Sequence, residues 1–429
     1  MPETTYFLDR LENGVCLVLA HMPARASVAL GLYCRRGSRS EPLRYQGLAH
    51  FVEHAVFKGT RRRSARRISL DAEAVGGSLN AFTAEEHTCY HVKAPAEHAA
   101  AMTDLLADLY RNARFHPRDI NLERRVIEDE ILLYHEQPSS HVEDLLAKAA
   151  WPAHPLGRSI LGSVSSLNRI NSAKLSAYAA GAHTGANTIL AAAGRMDFPE
   201  LKRLARRHLE GLPAGRRHFP RPYVPPRRRT PAILAEERPL QQTHLALAFH
   251  AGGWQARDAA DSRVLSAILG ETMSSLLQQE LRERRGICYD ISSQRDFYAE
   301  TGLLSIYAAM EGSRFPEALQ IIIRVLRRLR EKAPAPRTVD QAVSCLIGQN
   351  ALAMEDTGAQ MFWVGDLVAQ ERTQLDPAYY ENKLREVRAQ GVSACARRTF
   401  RPGNAAAAVL GIRSDEHKQL LLKSLRELI

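Results

Sequence analysis

The sequence is poor in cysteine and aromatic residues, and no part of it is continuously apolar for the length of a membrane span. Its six cysteines are scattered over 429 residues without a Cys-x-x-Cys pair, which argues against a disulfide framework or a cysteine-based zinc site. The first residues show no basic segment followed by an apolar one, so they do not resemble a secretory signal. We therefore expect reduced thiols, a soluble cytoplasmic protein and no membrane partner.

Acidic residues are fewer than basic ones, and the formal net charge is +11. The basic clusters Arg61–Arg63, Arg66–Arg67 and Arg227–Arg229 could form a nucleic-acid surface. They lack interleaved aromatic residues, and we interpret them as solvated faces. No nucleic-acid partner is expected, and an RNA-associated role would rest on charge alone.

The most informative segment is Gly47-Leu-Ala-His50-Phe-Val-Glu53-His54-Ala-Val-Phe-Lys58. On a helix, His50 and His54 are one turn apart and share a face, and Glu53 projects to the same side. Two neutral imidazoles can then share one Zn²⁺ ion beside a carboxylate that acts as a general base. The order His-x-x-Glu-His is the inverzincin signature. The alternative is a chance match in a chain with 16 histidines.

A catalytic zinc site usually takes a third protein ligand, and the segment between Pro117 and Pro138 offers one. It is predicted to be a helix on which Glu123 and Glu130, seven residues apart, lie on one face among apolar neighbours. Two carboxylates on a buried face are costly unless a cation pairs with them. We predict Glu130 as the ligand and Glu123 as a carboxylate that orients the site. The alternative is a solvated acidic stripe.

These motifs together resemble the pitrilysin/insulysin/mitochondrial processing peptidase family. The resemblance covers most of the chain and is carried by the segments 47–60, 76–85, 123–130 and 151–162. It implies that Glu130 completes a site for one Zn²⁺ per chain. It also implies that Glu123 is an auxiliary catalytic carboxylate, and that Asn80, Ala81 and Phe82 lie on a strand that pairs with the substrate backbone.

The second half of the chain carries no zinc motif, but Arg282 and Tyr289 match the C-terminal signature of the same family. The resemblance implies that they hold the substrate carbonyl near the metal. A guanidinium and a phenol can both donate hydrogen bonds to a developing oxyanion. The residues around Arg282 are also charged, so the local sequence is equally consistent with a solvent-exposed helix end.

The length predicts two domains of about 200 residues. We place the zinc-binding domain at 1–215, a linker rich in proline and arginine at 216–236, and a metal-free domain of the same fold at 237–429. The halves read as distant repeats, since 27–34 and 243–250 are similar strands that each lead into a helix. Alternating strands and amphipathic helices predict an α+β class with antiparallel sheets, and the resemblance implies a pair of α/β rolls.

The sequence thus predicts a zinc-dependent endopeptidase that cleaves peptides or unfolded segments, with Glu53 as general base. The family resemblance implies a homodimer around a closed chamber. The alternative is a non-catalytic, peptide-binding or structural subunit of a processing-peptidase-like complex.

Overall fold

The computed structural model describes residues 4–220, 222–223 and 229–428. Eleven strands are present in these ranges: β1 (Thr5–Arg10), β2 (Cys16–His21), β3 (Ser27–Cys34), β4 (Ser78–Thr83), β5 (Thr88–Pro95), β6 (Thr188–Gly194), β7 (Ala232–Glu237), β8 (Gln242–Gly252), β9 (Cys288–Phe297), β10 (Thr301–Glu311) and β11 (Ala405–Gly411).

The α-helices of the described ranges are α1 (Leu48–Val56), α2 (Ala65–Glu73), α3 (Ala99–Asn112), α4 (Pro117–Glu136), α5 (Pro138–Ala150), α6 (Val164–Leu167), α7 (Ser172–Ala182), α8 (Phe198–Leu209), α9 (Ala259–Ser266), α10 (Phe315–Glu331), α11 (Pro336–Ala353), α12 (Thr357–Ala369), α13 (Pro377–Arg385), α14 (Ala389–Thr399) and α15 (Ser414–Arg426). Two π-helical segments, Ala267–Glu271 and Gln278–Glu283, follow α9.

The chain divides into two compact units, each built on one sheet. Unit 1 comprises Met1–Leu132, Ser159–Arg221 and Asn350–Asp376, and unit 2 comprises Leu133–Arg158, Pro222–Gln349 and Pro377–Ile429. The strand order is β1-β2-β6-β3-β5-β4 in unit 1 and β7-β11-β8-β10-β9 in unit 2. The predicted α+β class is confirmed.

The two sheets repeat one topology. From β2 to β4 and from β7 to β9, each has one parallel pair followed by three antiparallel pairs. The similar strands inferred from the sequence are β3 and β8, which occupy the same position in the two orders. The sheets are antiparallel as predicted, apart from the parallel pairs β2–β6 and β7–β11, which join strands far apart in the sequence.

Each unit has its own apolar core. Strands β3 and β6 are almost fully buried along their length, as expected for central strands covered on both faces. In unit 1, apolar residues of these strands belong to one core with residues of α1, α3, α7 and α8, and in unit 2 residues of β8 and β11 share a core with residues of α10, α14 and α15. All six cysteines are free thiols, five of them buried.

Each unit also takes helical chain from the other half of the sequence. Helix α12 packs on β3 and β6 of unit 1, and α5 packs on β8 and β11 of unit 2. The two units therefore do not coincide with the continuous domains predicted at 1–215 and 237–429. Within the predicted linker 216–236, residues 221 and 224–228 lie outside the described residues, and β7 begins at Ala232.

The basic cluster at Arg61–Arg63 is not simply solvated. Arg63 is mostly buried and its guanidinium contacts Asp71, Asp104 and Asp108 at 2.7–2.9 Å. The charge of Arg63 is thus used inside unit 1. No helix in the described ranges is both long and apolar enough to cross a membrane.

Candidate metal centre and peptide-binding strand

Helix α1 is held rigidly at its N-terminus. Gly47 has a left-handed backbone (φ +87°), and a Cβ there would lie 2.6 Å from the carbonyl oxygen of Leu161. The buried Glu41 carboxylate accepts hydrogen bonds from the backbone N–H groups of Gly47 (2.8 Å) and Ala49 (2.5 Å). A carboxylate at this position accepts hydrogen bonds from N–H groups that have no partner within the helix. Its negative charge is also stabilised by the positive end of the helix dipole.

The two faces of α1 serve different purposes. Phe51, Val52 and Ala55 are fully buried in the core of unit 1. His50 and His54 lie on the other face, with ring centroids 4.5 Å apart. Core packing on one side therefore fixes the direction of the imidazoles on the other.

Helix α4 brings the third candidate ligand to these rings. Its inward face carries the buried Ile120, Glu123 and Ile127, and Glu130 follows one turn later. Glu130 Oε2 lies 3.7 Å from Nε2 of His50 and 3.5 Å from Nε2 of His54. The side chains of the two histidines and Glu130 thus converge at one point.

The unpaired atoms at this point fit a zinc ion. Glu130 Oε2 is buried and has no hydrogen-bond partner among the described residues. One ligand atom from each of the three residues lies within 4.8 Å of the others. Two imidazole nitrogens and one carboxylate oxygen are a donor set that catalytic zinc uses, and a cation would pair with an oxygen that otherwise stays unsatisfied.

Glu123 lies directly behind His54. Its Oε1 is 2.8 Å from Nδ1 of His54, and its Oε2 is in contact with the ammonium of Lys58. A carboxylate on Nδ1 fixes the tautomer that leaves Nε2 free to bind a metal. Lys58 compensates the charge of a carboxylate that is only 4% exposed.

Glu53 stands beside the ligands on the same helix. It is 8% exposed, and the hydroxyl of Thr83 donates a 3.0 Å hydrogen bond to its Oε2. Thr83 is the last residue of β4, so this bond ties the carboxylate to the end of that strand.

The electrostatics of the centre follow from burial and from these carboxylates. Burial lowers the pKa of His50 to about 3 and raises the pKa of Glu53 and of Glu130. Burial also acts to lower the pKa of His54, but the hydrogen bond to Glu123 and the nearby carboxylates outweigh it, and the pKa is raised. The carboxylates around His54 therefore favour positive charge at its ring.

Strand β4 forms the open edge of the sheet next to this centre. It pairs with β5 on one side and with no strand of the described residues on the other. The backbone N–H of Ala81 donates to the side-chain oxygen of Asn80 (2.8 Å), which places this N–H on the open edge. Phe82 packs edge-on against Phe362 of α12. An exposed edge of this kind can add a peptide as a further strand.

Comparison with known families decides the relationship of the chain. Residues 16–164 match the family described as Insulinase (Peptidase family M16), and residues 169–345 match the description "Peptidase M16 inactive domain". The chain belongs to peptidase family M16.

Relatives within this family extend over most of the chain. It is 35% identical to an "Uncharacterized zinc protease" of Mycobacterium leprae, over 83% of this chain and 80% of that protein. It is 30% identical to the "Uncharacterized zinc protease YmxG" of Bacillus subtilis, over 91% and 94% of the two chains. It is 27% identical to the "Mitochondrial-processing peptidase subunit beta" of Lentinula edodes, over 94% and 89%.

Solved structures agree on the fold. A protease from Helicobacter pylori matches with a TM-score of 0.90 at 19% identity, over 95% of this chain and 99% of that one. A structure from Pseudomonas fluorescens, titled as a peptidase M16 inactive domain, matches with a TM-score of 0.85 at 19% identity, over 95% and 98%. The two-domain fold of M16 proteins, with a mixed sheet and flanking helices in each domain, is thereby shown.

The second M16 domain contains the predicted residues Arg282 and Tyr289. Arg282 lies in the π-helical segment before β9, Tyr289 lies at the start of β9, and the guanidinium carbon is 5.3 Å from the centre of the tyrosine ring. Tyr289 is 81% exposed, so its hydroxyl is available to a ligand. The structure brings these two side chains together within unit 2.

The contacts of three residues near the candidate metal centre were not predicted from the sequence. Lys58 and Thr83 stand inside the motifs, but their contacts with Glu123 and Glu53 follow only from the packing of α1 against α4 and β4. Glu41 precedes α1 by seven residues, a spacing that carries no known capping signal.

Proposed function

We propose that this M16 protein is a zinc-dependent endopeptidase that hydrolyses peptides or unfolded segments. The observation that carries the proposal is the convergence of His50, His54 and Glu130 around an unpaired carboxylate oxygen, with Glu53 on the same helix. The names of the relatives as zinc proteases support the same metal.

Each side chain of the centre has a distinct part in this proposal. When bound, zinc would act as a Lewis acid toward the peptide carbonyl and the attacking water. Glu53, whose pKa is raised by burial, takes a proton from the water and delivers it to the leaving amine. Thr83 holds Glu53 in place for both transfers, and Glu123 keeps His54 in the binding tautomer.

Substrate binding is proposed to use the backbone of β4. A peptide that adds to the edge formed by Asn80, Ala81 and Phe82 gains main-chain hydrogen bonds, which give affinity with little dependence on sequence. Arg282 and Tyr289 are proposed to donate hydrogen bonds to the substrate carbonyl. A self-sufficient homodimer and a cytoplasmic location remain part of the proposal, and fractionation of the producing cells would test the location.

Replacing the general base tests the reaction. Glu53→Gln keeps the size of the side chain but cannot accept the proton, so peptide cleavage should fall by about 10²- to 10⁴-fold. Zinc content should stay unchanged, because Glu53 is not a ligand. The matched control is Glu73→Gln, on the exposed face of α2, which should cleave at the wild-type rate.

The outcomes separate the proposal from its rival. Cleavage by Glu53→Gln at a rate near that of the wild type would refute the role of Glu53. A non-catalytic peptide-binding subunit would instead show no cleavage by the wild-type protein, although it binds peptides.

A further inference from the structure

A second group of metal-binding side chains lies within unit 2. His135 lies in the last turn of α4, His141 lies in the first turn of α5, and Glu236 lies on β7. One ligand atom from each lies within 4.8 Å of the others. Nε2 of His141 is 2.8 Å from Oε2 of Glu236, and the two imidazole rings are 4.1 Å apart between centroids.

The local fold fixes two of these side chains. Gln137 and Pro138 turn the chain from α4 directly into α5, which places His135 and His141 on the same corner. Helix α5 packs on β7 and β11, and His141 is only 4% exposed against this sheet. Glu236 is half-buried and His135 is exposed, so the group opens to solvent on one side.

The guanidinium of Arg238 contacts both Glu236 and His135 of this group. Its Nε is 2.6 Å from Oε1 of Glu236, its Nη1 donates to the backbone carbonyl of His135 (2.6 Å), and its Nη2 is 2.9 Å from both ring nitrogens of His135. The arginine uses the carboxylate oxygen that faces away from His141. Oε2 of Glu236, Nε2 of His141 and one nitrogen of His135 can therefore turn to one ion if Nη2 leaves the His135 ring.

We propose that His135, His141 and Glu236 form a second metal site, separate from the M16 zinc centre, that binds a borderline divalent ion such as Zn²⁺ or Co²⁺. The ligand set, two imidazoles and a carboxylate, is the one these ions prefer. The site binds more weakly than the first, because Arg238 repels the incoming ion and must shift. Metal binding also requires a neutral His141 whose Nε2 has a free electron pair. The bond from Nε2 to the metal would replace the hydrogen bond between Nε2 and Glu236.

Metal titration of the full chain tests this site independently of peptidase activity. The first site is removed with His54→Ala, and Zn²⁺ or Co²⁺ alone is titrated into the metal-free protein. His54→Ala should bind one ion per chain in place of the two bound by the wild type. Adding His135→Ala or Glu236→Gln should weaken the remaining site at least about tenfold, since even partners outside the ligand shell contribute that much.

Two further variants sharpen the result. His116→Ala removes another exposed histidine and should leave the second ion in place, whereas Arg238→Gln should tighten its binding several-fold by removing a positive charge. The absorption bands of bound Co²⁺ should change with Glu236→Gln. The proposal is overturned if His54→Ala binds no ion, or if its ion is retained with equal affinity after both His135→Ala and Glu236→Gln. Circular dichroism confirms that each variant is folded.

Discussion

At the scale of single residues, neighbours on α1 have opposite surroundings. His50, Glu53 and His54 face the candidate metal centre, while Phe51 and Val52 are buried in the core. The sequence predicts this division because helical spacing alone decides which side chains share a face. It could not reveal that Lys58, Thr83 and Glu41 complete the centre, because those contacts depend on where α4, β4 and the segment before α1 lie in space.

The hydroxyl of Thr83 donates a hydrogen bond to Glu53, and its removal should slow peptide cleavage. A hydrogen bond to a charged group contributes about 1.5–3 kcal/mol, so Thr83→Val should lower kcat by roughly 10- to 100-fold. Thr83→Ser retains the donor and should stay near the wild-type rate. Steady-state kinetics with one peptide, together with zinc analysis of both variants, measures the effect. Equal kcat values for the Val and Ser variants would show that Thr83 does not position Glu53.

At the scale of elements, the long helix α4 and the edge strand β4 define the centre together. The sequence predicted α4 between its flanking prolines, with Glu123 and Glu130 on one face, and the structure has the helix at Pro117–Glu136. The position of β4 at the edge of the sheet does not follow from the sequence, because strand order depends on pairings between distant segments. The parallel pairs in both sheets were missed for the same reason.

Strand β4 can be tested through the outward N–H of Ala81. Ala81→Pro removes this donor, and proline is tolerated on an edge strand where its position needs no ladder hydrogen bond. Loss of one backbone hydrogen bond to the substrate should raise KM by up to about tenfold. Ala81→Val keeps the N–H and is the matched control. If Ala81→Pro cleaves peptides with the KM of the Val variant, the peptide does not pair with this strand at Ala81.

At the scale of the whole molecule, the two sheets of the described residues repeat one strand order, and the three predicted zinc ligands, His50, His54 and Glu130, all lie in unit 1. That the two halves repeat one fold could be foreseen from the similar strands at 27–34 and 243–250. The sequence could not predict that α12, from the second half, packs on the sheet of unit 1, or that α5, from the first half, packs on the sheet of unit 2. The local sequence of an apolar helix does not indicate which sheet it covers. The sequence motifs therefore predict the candidate site residues better than they predict the limits of the compact units.

The oligomeric state belongs to this scale as well. Each chain carries both the proposed zinc ligands and the Arg282–Tyr289 pair, so a dimer of identical chains is expected to be active without another subunit. Multi-angle light scattering of the purified, active protein should give twice the mass of one chain. A single active species with the mass of one chain would contradict this expectation.

His50, His54 and Glu130 are proposed to bind one zinc ion, and zinc analysis of a ligand variant tests this binding most directly. After dialysis at low free zinc, the wild-type protein should retain one ion per chain by elemental analysis. Glu130→Gln should retain little, whereas Asp129→Asn, the exposed neighbour on the same helix, should match the wild type. An unchanged zinc content and affinity in Glu130→Gln would contradict the account.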